Sequence, residues 1–375
     1  AAMGQFDLEP LDITDLLDPG LPARLDRLDV VYANCGPLTA LLLAVRERHG
    51  LPVRVIREVR TSGWIGYAFQ EWVASPLHRP DDRCAHVAAH SMALWTGFRG
   101  EGGDVFHYPM LHGPRDPPRK GPPRVAGYFS RIAPHKGPRW LPSIVARLRE
   151  AGWPLEKLVL GGATDSPTQR DGVVQALRAS GVDVTMPGAL NHARALAMMR
   201  SVDVVLFPSV SSLEGLGRVV PEALHAGCRV VASDWCGGRD LVAPAFRIPL
   251  ASGTRSGSSR EGFPMADLDL EHWNPPPWDA PCAMAEALAS YRRDPDRTRA
   301  LIAGRARDAS PPPTGVRLSF DWPPPDKAAA LDLCAALAKR VRAEARNRAD
   351  LLDLGGAAKR SLIALGFAPT ATFQV

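Results

Sequence analysis

Short apolar runs that read as strands alternate with helix-like stretches along most of this chain, and no other feature constrains its fold as strongly. Parallel strands need a crossover of a dozen or more residues between them, and a helix is the usual one. "DVVYAN" (29–34), a helical stretch over 37–49 and "PVRVIREV" (52–59) begin the pattern, with "AHVAAH" (85–90) and "DVFHYP" (104–109) as weaker strands. "HGPRDPPRKGPP" (112–123) then interrupts it. Its prolines fit neither a sheet interior nor a helix centre, so it reads as an interdomain linker.

A second alternation follows: "RVAGYF" (124–129), a helix over 138–151 opened by Pro138, "KLVLGG" (157–162), "VDVTM" (182–186), "DVVLFP" (203–208) and "CRVVAS" (228–233). The expected fold class is α/β, with two Rossmann-like doubly wound domains in series. The boundaries are an N-terminal domain over 1–112, a linker over 113–123 and a C-terminal domain over 124–310. A Pro-rich segment with C-terminal helices (311–375) is expected to pack back on the N-terminal domain. "SGTRSGSSREG" (252–262) reads as a mobile loop. Helices are expected over 280–293 and 296–309, and the tail from 326 onward is helical by pattern. In doubly wound sheets ligands sit at the carboxyl ends of the strands, so the loops after strands carry function.

Composition narrows the chemistry. The chain has 375 residues and a net charge of +5, but its Lys and Arg are interleaved with acids. No basic strip with aromatic residues is present for nucleic acid to stack on, so no nucleic-acid partner is expected. The six cysteines stand singly, without CxxC or zinc-ligand spacing, and read as reduced thiols. No run has the length of a membrane span and no signal pattern opens the chain, so the expected location is cytoplasmic. The basic tail helix reads as a solvated face more readily than as a membrane surface.

Two stretches carry candidate chemistry. In "EGLGRVVPEALHAG" (214–227), Pro221 is tolerable only in the first turn of a helix, which sets a start near Gly217 or Arg218. The N–H groups of Gly217, Arg218 and Val219 are then free to face an anion. Glu214 precedes the helix, and Glu222, on its second turn, leans back toward the same mouth. Carboxylates repel a phosphate but accept hydrogen bonds from hydroxyls on either side of it, as in a nucleotide sugar. A bare pair of glutamates at this spacing is usually two surface residues; the flanking glycines, proline and preceding strand favour the functional reading. In "GYFSRIAPHKGPRW" (127–140), Arg131 and Lys136 cross one short loop, where a planar fork and a compact charge can grip one diphosphate.

Other signals are weaker. "GGATDS" (161–166) fits nucleotide contact or simple packing, and "DWCGGRD" (234–240) a cleft-lining or structural turn. His86 and His90 read as ordinary core or surface histidines. No GxGxxG fingerprint, GxxxxGK[ST] loop or metal-ligand set occurs, so neither a resident cofactor nor a metal is expected.

The order and separation of "GYFSRIAPHKG", "EGLGRVVPEALHAG" and "VVASDWCGGRDLV" (230–242) resemble retaining glycosyltransferase family 4, whose members have the GT-B fold and an E-x7-E motif. The resemblance is strong over 124–245, fair to 310 and faint over 28–110. It implies two Rossmann-like domains facing across a cleft, with a UDP- or GDP-sugar as co-substrate. It implies that Arg131 and Lys136 bind the donor diphosphate, Glu214 the sugar hydroxyls and Glu222 the ribose. Gly215, Leu216 and Gly217 would approach the sugar, and Arg218 and Val219 the phosphates. The family needs no metal and retains anomeric configuration by front-face attack, the leaving diphosphate acting as base.

The N-terminal domain departs from the family. It is short, and "NCGP" (34–37) stands where a Gly-Gly loop is usual. Arg60 and Thr61 stand where many members have a histidine; Arg60 is equally a ligand contact or a surface arginine. The implied function is glycosyl transfer to a small-molecule (natural-product) or envelope-related acceptor bearing a hydroxyl or thiol. The alternatives are a catalytically impaired nucleotide-binding partner protein and a nucleotide-sugar epimerase of the same fold.

Overall fold

A computed structural model describes residues 9–11, 15–16, 18–33, 36–59, 74–86, 104–105, 115–165, 167–210, 214–258, 266–283, 317–320, 326–344 and 370–374. The C-terminal unit is a six-stranded sheet. Its strands are β5 (Val125–Phe129), β6 (Lys157–Gly161), β7 (Asp183–Gly188), β8 (Val204–Phe207), β9 (Arg229–Ser233) and β10 (Arg247–Ile248), in spatial order β10-β9-β8-β5-β6-β7. Every neighbouring pair is parallel. Counted from β5, this is the Rossmann order, and the direction of winding reverses between β5 and β8. The four central strands β6, β5, β8 and β9 are buried almost throughout because helices cover both faces of the sheet.

Those helices are α3 (Leu141–Glu150), α4 (Pro167–Ala179), α5 (His192–Met199), α6 (Val219–His225) and α7 (Cys236–Leu241). In α3 the buried residues are Leu141, Ile144, Val145 and Leu148, an apolar stripe at helical spacing. The helix expected to open at Pro138 begins later. Gly137 is left-handed, Pro138–Trp140 forms a 3-10 turn, and α3 starts at Leu141. Pro142 decides this, since it too must lie in a first turn.

The N-terminal unit holds a parallel sheet in the order β1 (Val30–Ala33), β2 (Arg54–Val59), β3 (Arg83–His86), β4 (Asp104–Val105), without reversal among the described residues. β3 begins two residues before the expected strand. Helices α1 (Leu21–Leu25) and α2 (Gly36–His49) accompany the sheet. Gly36 and Pro37 open α2, while Asn34 and Cys35 lie outside the described residues.

Two readings of the last third of the chain need correction. Thr254–Ser258, read as a mobile loop, is a strand (β11). It pairs antiparallel with Thr370–Gln374 (β13), which the tail's helical pattern did not foresee, and Arg317–Phe320 (β12) pairs on the other side of β13. The "TRSGS" run of β11 has no apolar alternation, and backbone pairing with β13, more than a hundred residues away, defines it. The expected helices over 280–293 and 296–309 fall almost wholly outside the described residues.

Helix α8 (Lys327–Glu344), capped by the Asp326 side chain, packs on α2 and buries Ala330, Cys334 and Leu337 in the N-terminal core. Those three apolar residues therefore do not face a membrane, and among the described residues no helix is long and apolar enough to cross one. A buried charge network fixes this docking. The Arg46 guanidinium donates to both oxygens of Asp82, at 2.6 and 2.9 Å, and to the Leu77 carbonyl at 2.9 Å. Asp82 also accepts from the Val55 and Arg79 backbone N–H groups. Glu47 pairs with Arg46, with Arg79 and, at 2.5 Å, with Lys327 of α8.

The linker from Arg115 onward belongs to the C-terminal unit. Arg115 donates to the Leu224 carbonyl at 2.9 Å, and the N–H groups of Asp116 and Arg119 donate to His225 and Gly227. It straps down the end of α6.

Breaking the Arg46–Asp82 pair should strand a buried guanidinium. Asp82→Ala is expected to cost about 3–5 kcal/mol, whereas Lys327→Ala, at an exposed ammonium, should cost at most about 1 kcal/mol. Urea denaturation of the two variants measures this, and equal effects would show that the pair does not anchor the N-terminal core.

Candidate functional site

The reversal in strand order decides where a site can form. Loops leaving β5 and β8 cross to different parts of the sheet and open a crevice between them at the carboxyl edge. Arg131 and Lys136 follow β5, and residues 214–222 follow β8, so both sequence constellations open at this crevice.

The loops touch through backbone. Gly137 has φ +69°, and a Cβ there would lie 2.0 Å from the Pro208 carbonyl oxygen. That approach lets Lys136 Nζ reach Glu214 Oε2 at 2.5 Å. Ser209, fully buried, donates its hydroxyl to the same oxygen at 2.8 Å, and its own carbonyl accepts from Ser233 at the end of β9. Tyr128 in β5 donates to the Arg131 carbonyl at 2.9 Å, and burial pushes its phenol pKa up.

Arg131 behaves differently from Lys136. It lies on the surface and pairs with Asp165 at 3.2 Å, both side chains about half exposed. Such a pair contributes ~0–1 kcal/mol, so a ligand displaces it at little cost. His135, half-buried between the two cations, has its pKa lowered by burial, then by Lys136 and Arg131.

In the 214–222 segment, Gly215, Leu216 and Gly217 are buried and Arg218 is exposed. Gly217 is left-handed, at φ +64°, against the Phe207 ring, so α6 begins at Val219 with Arg218 as its cap. Pro221 is thereby in the first turn, and so is Glu222, which the sequence placed on the second. The N–H groups of Gly217, Arg218 and Val219 donate to no acceptor among the described residues. With seven residues, α6 is too short to make an anion site alone; these donors supplement the cations.

Glu222 is 5 % exposed. Its Oε1 lies 3.1 Å from Nε2 of His192, the first residue of α5. Burial raises its carboxyl pKa, opposed by His192 and Arg218. The sequence reading missed His192 and Ser209. Ser209 follows β8 directly and was findable as a strand-end hydroxyl; His192 has no local signal.

The weaker motifs are packing features. A Cβ on Gly162 would fall 1.9 Å from the Ser130 carbonyl oxygen, and one on Gly237 would fall 1.5 Å from that of Leu216. Gly237 N–H donates to the Gly215 carbonyl, so "DWCGGRD" supports the glycine-rich loop from behind. Cys228 is a buried thiol pushed up to about 12 by burial. Among the described residues no group of three or more His, Cys, Asp or Glu side chains is placed to hold a metal ion. Arg60 and Thr61, like His90, lie outside the described residues.

Residues 123–249 match the family model described as Glycosyl transferases group 1. The matched span begins at the end of the linker and ends just after β10, so it coincides with the sheet that carries both loops. A D-inositol 3-phosphate glycosyltransferase of Segniliparus rotundus is 30% identical over 185 residues, 49% of this chain and 35% of the relative. The chain thus spans about a third of that relative's length. Among solved structures, Anabaena HepE in complex with UDP aligns at 16% identity and a TM-score of 0.45, over 60% of this chain and 65% of that one. The lipopolysaccharide outer core galactosyltransferase WaaB aligns at 14% identity and a TM-score of 0.46, over 64% and 66%.

The Gly137–Pro208 approach predicts a sharp effect of a single methyl group. Gly137→Ala must move the Pro208 carbonyl and hold alanine left-handed, which alone costs about 1–2 kcal/mol. Thermal unfolding should show a clear loss, while Gly152→Ala, left-handed but with open space around it, should show only the conformational part. Equal losses would mean that the two loops are not in backbone contact.

Proposed function

We propose that this protein is a retaining glycosyltransferase that moves a sugar from a UDP- or GDP-sugar to a hydroxyl- or thiol-bearing acceptor without a metal. The observation that carries the proposal is the convergence of Arg131, Lys136, Glu214 and Glu222 at one strand-order reversal, inside the segment that matches the group 1 glycosyl transferase model. Complexes of HepE with UDP and with UDP-glucose are known, and a nucleotide sugar is the ligand class proposed here.

In this reading the donor exchanges partners with the protein. Lys136 and Glu214 neutralise each other in the free site. The donor diphosphate takes over Lys136 and recruits Arg131 from Asp165, while sugar hydroxyls take over Glu214. Both charges find new partners in one step, which a buried carboxylate requires. The N–H groups of Gly217, Arg218 and Val219 add donors to the phosphates, and Gly215 and Leu216 bring backbone close to the sugar. Glu222 accepts from the ribose hydroxyls.

Chemistry then follows from charge placement. As the bond from the anomeric carbon to the phosphate oxygen breaks, negative charge grows on the diphosphate, where Lys136 and Arg131 stabilise it. The acceptor attacks from the same face, and its proton passes to the leaving phosphate oxygen. This route keeps the anomeric configuration and uses no carboxylate nucleophile. The acceptor is a small molecule or an envelope component.

Incubation with UDP-, GDP- and TDP-sugars, followed by thermal shift and by proton NMR of released or transferred sugar, tests the proposal. At least one donor should stabilise the protein and yield a product of unchanged anomeric configuration. No stabilisation by any donor would sink it, and an inverted product would sink the front-face mechanism. Glu214→Ala should mainly lower kcat, by about 100-fold or more as for a lost transition-state contact. Glu222→Ala should mainly raise the nucleotide Kd. Small, equal effects would overturn these roles.

A further inference from the structure

Glu222 is a buried carboxylate on a helix that follows β8, and its partner comes from elsewhere in the fold. His192 opens α5, the crossover helix between β7 and β8, so its contact with Glu222 joins two separate βα units. The contact is asymmetric in exposure: the histidine side chain is 53% exposed and the glutamate 6%. Asn191 fixes the start of α5 by accepting from the Arg194 N–H at 2.9 Å, which anchors the backbone that carries the imidazole. Glu222 Oε1 faces His192 Nε2, and Oε2 accepts no hydrogen bond among the described residues.

We propose that His192 is a positioning residue for the nucleotide: it engages one oxygen of Glu222 and so presents the other to the ribose hydroxyls of a bound nucleoside diphosphate. The inference rests on the nucleotide site proposed above and adds a residue which that reading does not use. A lone buried carboxylate loses its charge easily or turns toward whatever donor is near. With its proton on Nε2, an imidazole at 3.1 Å opposes both, and its exposed edge lets it do so without burying a second charge.

The charged surroundings make the idea testable by pH. Burial raises the Glu222 carboxyl, and the groups that oppose this are His192 from α5 and Arg218 ahead of α6. Arg194 on α5, Arg229 on β9 and Arg239 and Asp240 on α7, the other charged residues on elements packed against α6, take no part in the shift. Without His192 the carboxyl pKa rises further, so a site that needs the carboxylate loses affinity at a higher pH. The sign is fixed: nucleotide affinity falls toward acid, and the fall begins earlier in the variant.

The experiment is calorimetric titration with UDP and GDP, and with the 2′,3′-dideoxy form of whichever binds, from about pH 5 to pH 8. For wild type, His192→Ala and His192→Gln, binding of the ribonucleotide and of the dideoxynucleotide is compared. In His192→Ala the ribonucleotide should bind about tenfold more weakly near neutrality, as for a lost charge-assisted bond. Its acid fall-off should move upward in pH, and dideoxynucleotide binding should be unchanged. His192→Gln, which keeps an N–H donor but no titrating charge, should recover affinity near neutrality and keep the shifted fall-off. Equal weakening of both nucleotides, or an unmoved pH profile, overturns the role of His192 and leaves the proposed function standing. Binding of neither UDP nor GDP to the wild type would instead overturn the nucleotide site itself.

Discussion

The candidate site depends on three places where backbone meets backbone with no side chain between. Gly137 lies against the Pro208 carbonyl, Gly237 against the Leu216 carbonyl, and Gly162 against the Ser130 carbonyl. A Cβ at any of them would sit within 2.0 Å of a carbonyl oxygen, closer than real contacts occur. The loops after β5, β6, β8 and β9 therefore stack as one layer of main chain at the sheet edge. Lys136, Glu214 and Ser209 are within reach of one another because that layer is thin. A residue with a side chain at Gly137 would hold the ammonium and the carboxylate apart whatever their own identities.

That layer also explains how two nearly buried carboxylates coexist in one crevice. Each is balanced by a basic group from a different βα unit: Glu214 by Lys136 from the loop after β5, and Glu222 by His192 from the helix after β7. The balance is local, with Arg218 at the start of α6 adding to that of Glu222. In the proposed donor exchange, the entering ligand offers an anion to Lys136 and hydroxyl donors to Glu214 together, because leaving either group alone in a poorly solvated place is costly. On that proposal the free-state pairing acts as a filter for molecules that carry both chemistries at short separation.

The C-terminal sheet was legible in the sequence because its strands are covered on both faces, which writes them as continuous apolar runs such as "VVLF" (204–207). Pro221 was equally informative, since its ring allows few helix starts, and the observed start differs from the expected one only because Gly217 is left-handed. Pairings across the fold were not legible. Lys136 meets Glu214 through the adjacency of β5 and β8, a property of strand order rather than of any local pattern. His192 lies in a stretch that reads as an ordinary helix start, and only the crossover geometry brings it to Glu222. Thr254–Ser258 failed for a related reason: "TRSGS" has no apolar alternation, and its strand character comes from a partner near residue 372.

The N-terminal unit raises a different physical question, since its described strands run β1 to β4 in simple succession. Without a reversal, those strands alone create no crevice of the kind found between β5 and β8. What distinguishes this unit is that its core is completed by α8, from far along the chain, through Ala330, Cys334 and Leu337 and through the Lys327–Glu47 contact. The chain therefore leaves the N-terminal unit before Arg115 and returns to it by Asp326. The six-stranded sheet is an insertion held at both ends rather than a bead on one string. The Arg46–Asp82–Glu47 network sits where the returning helix docks, and a fixed set of buried charges accepts one registry of that helix more readily than an all-apolar groove would. The second tether thus arrives at a defined place, and it limits how far the sheet that carries Glu214 and Lys136 can stray from the N-terminal unit.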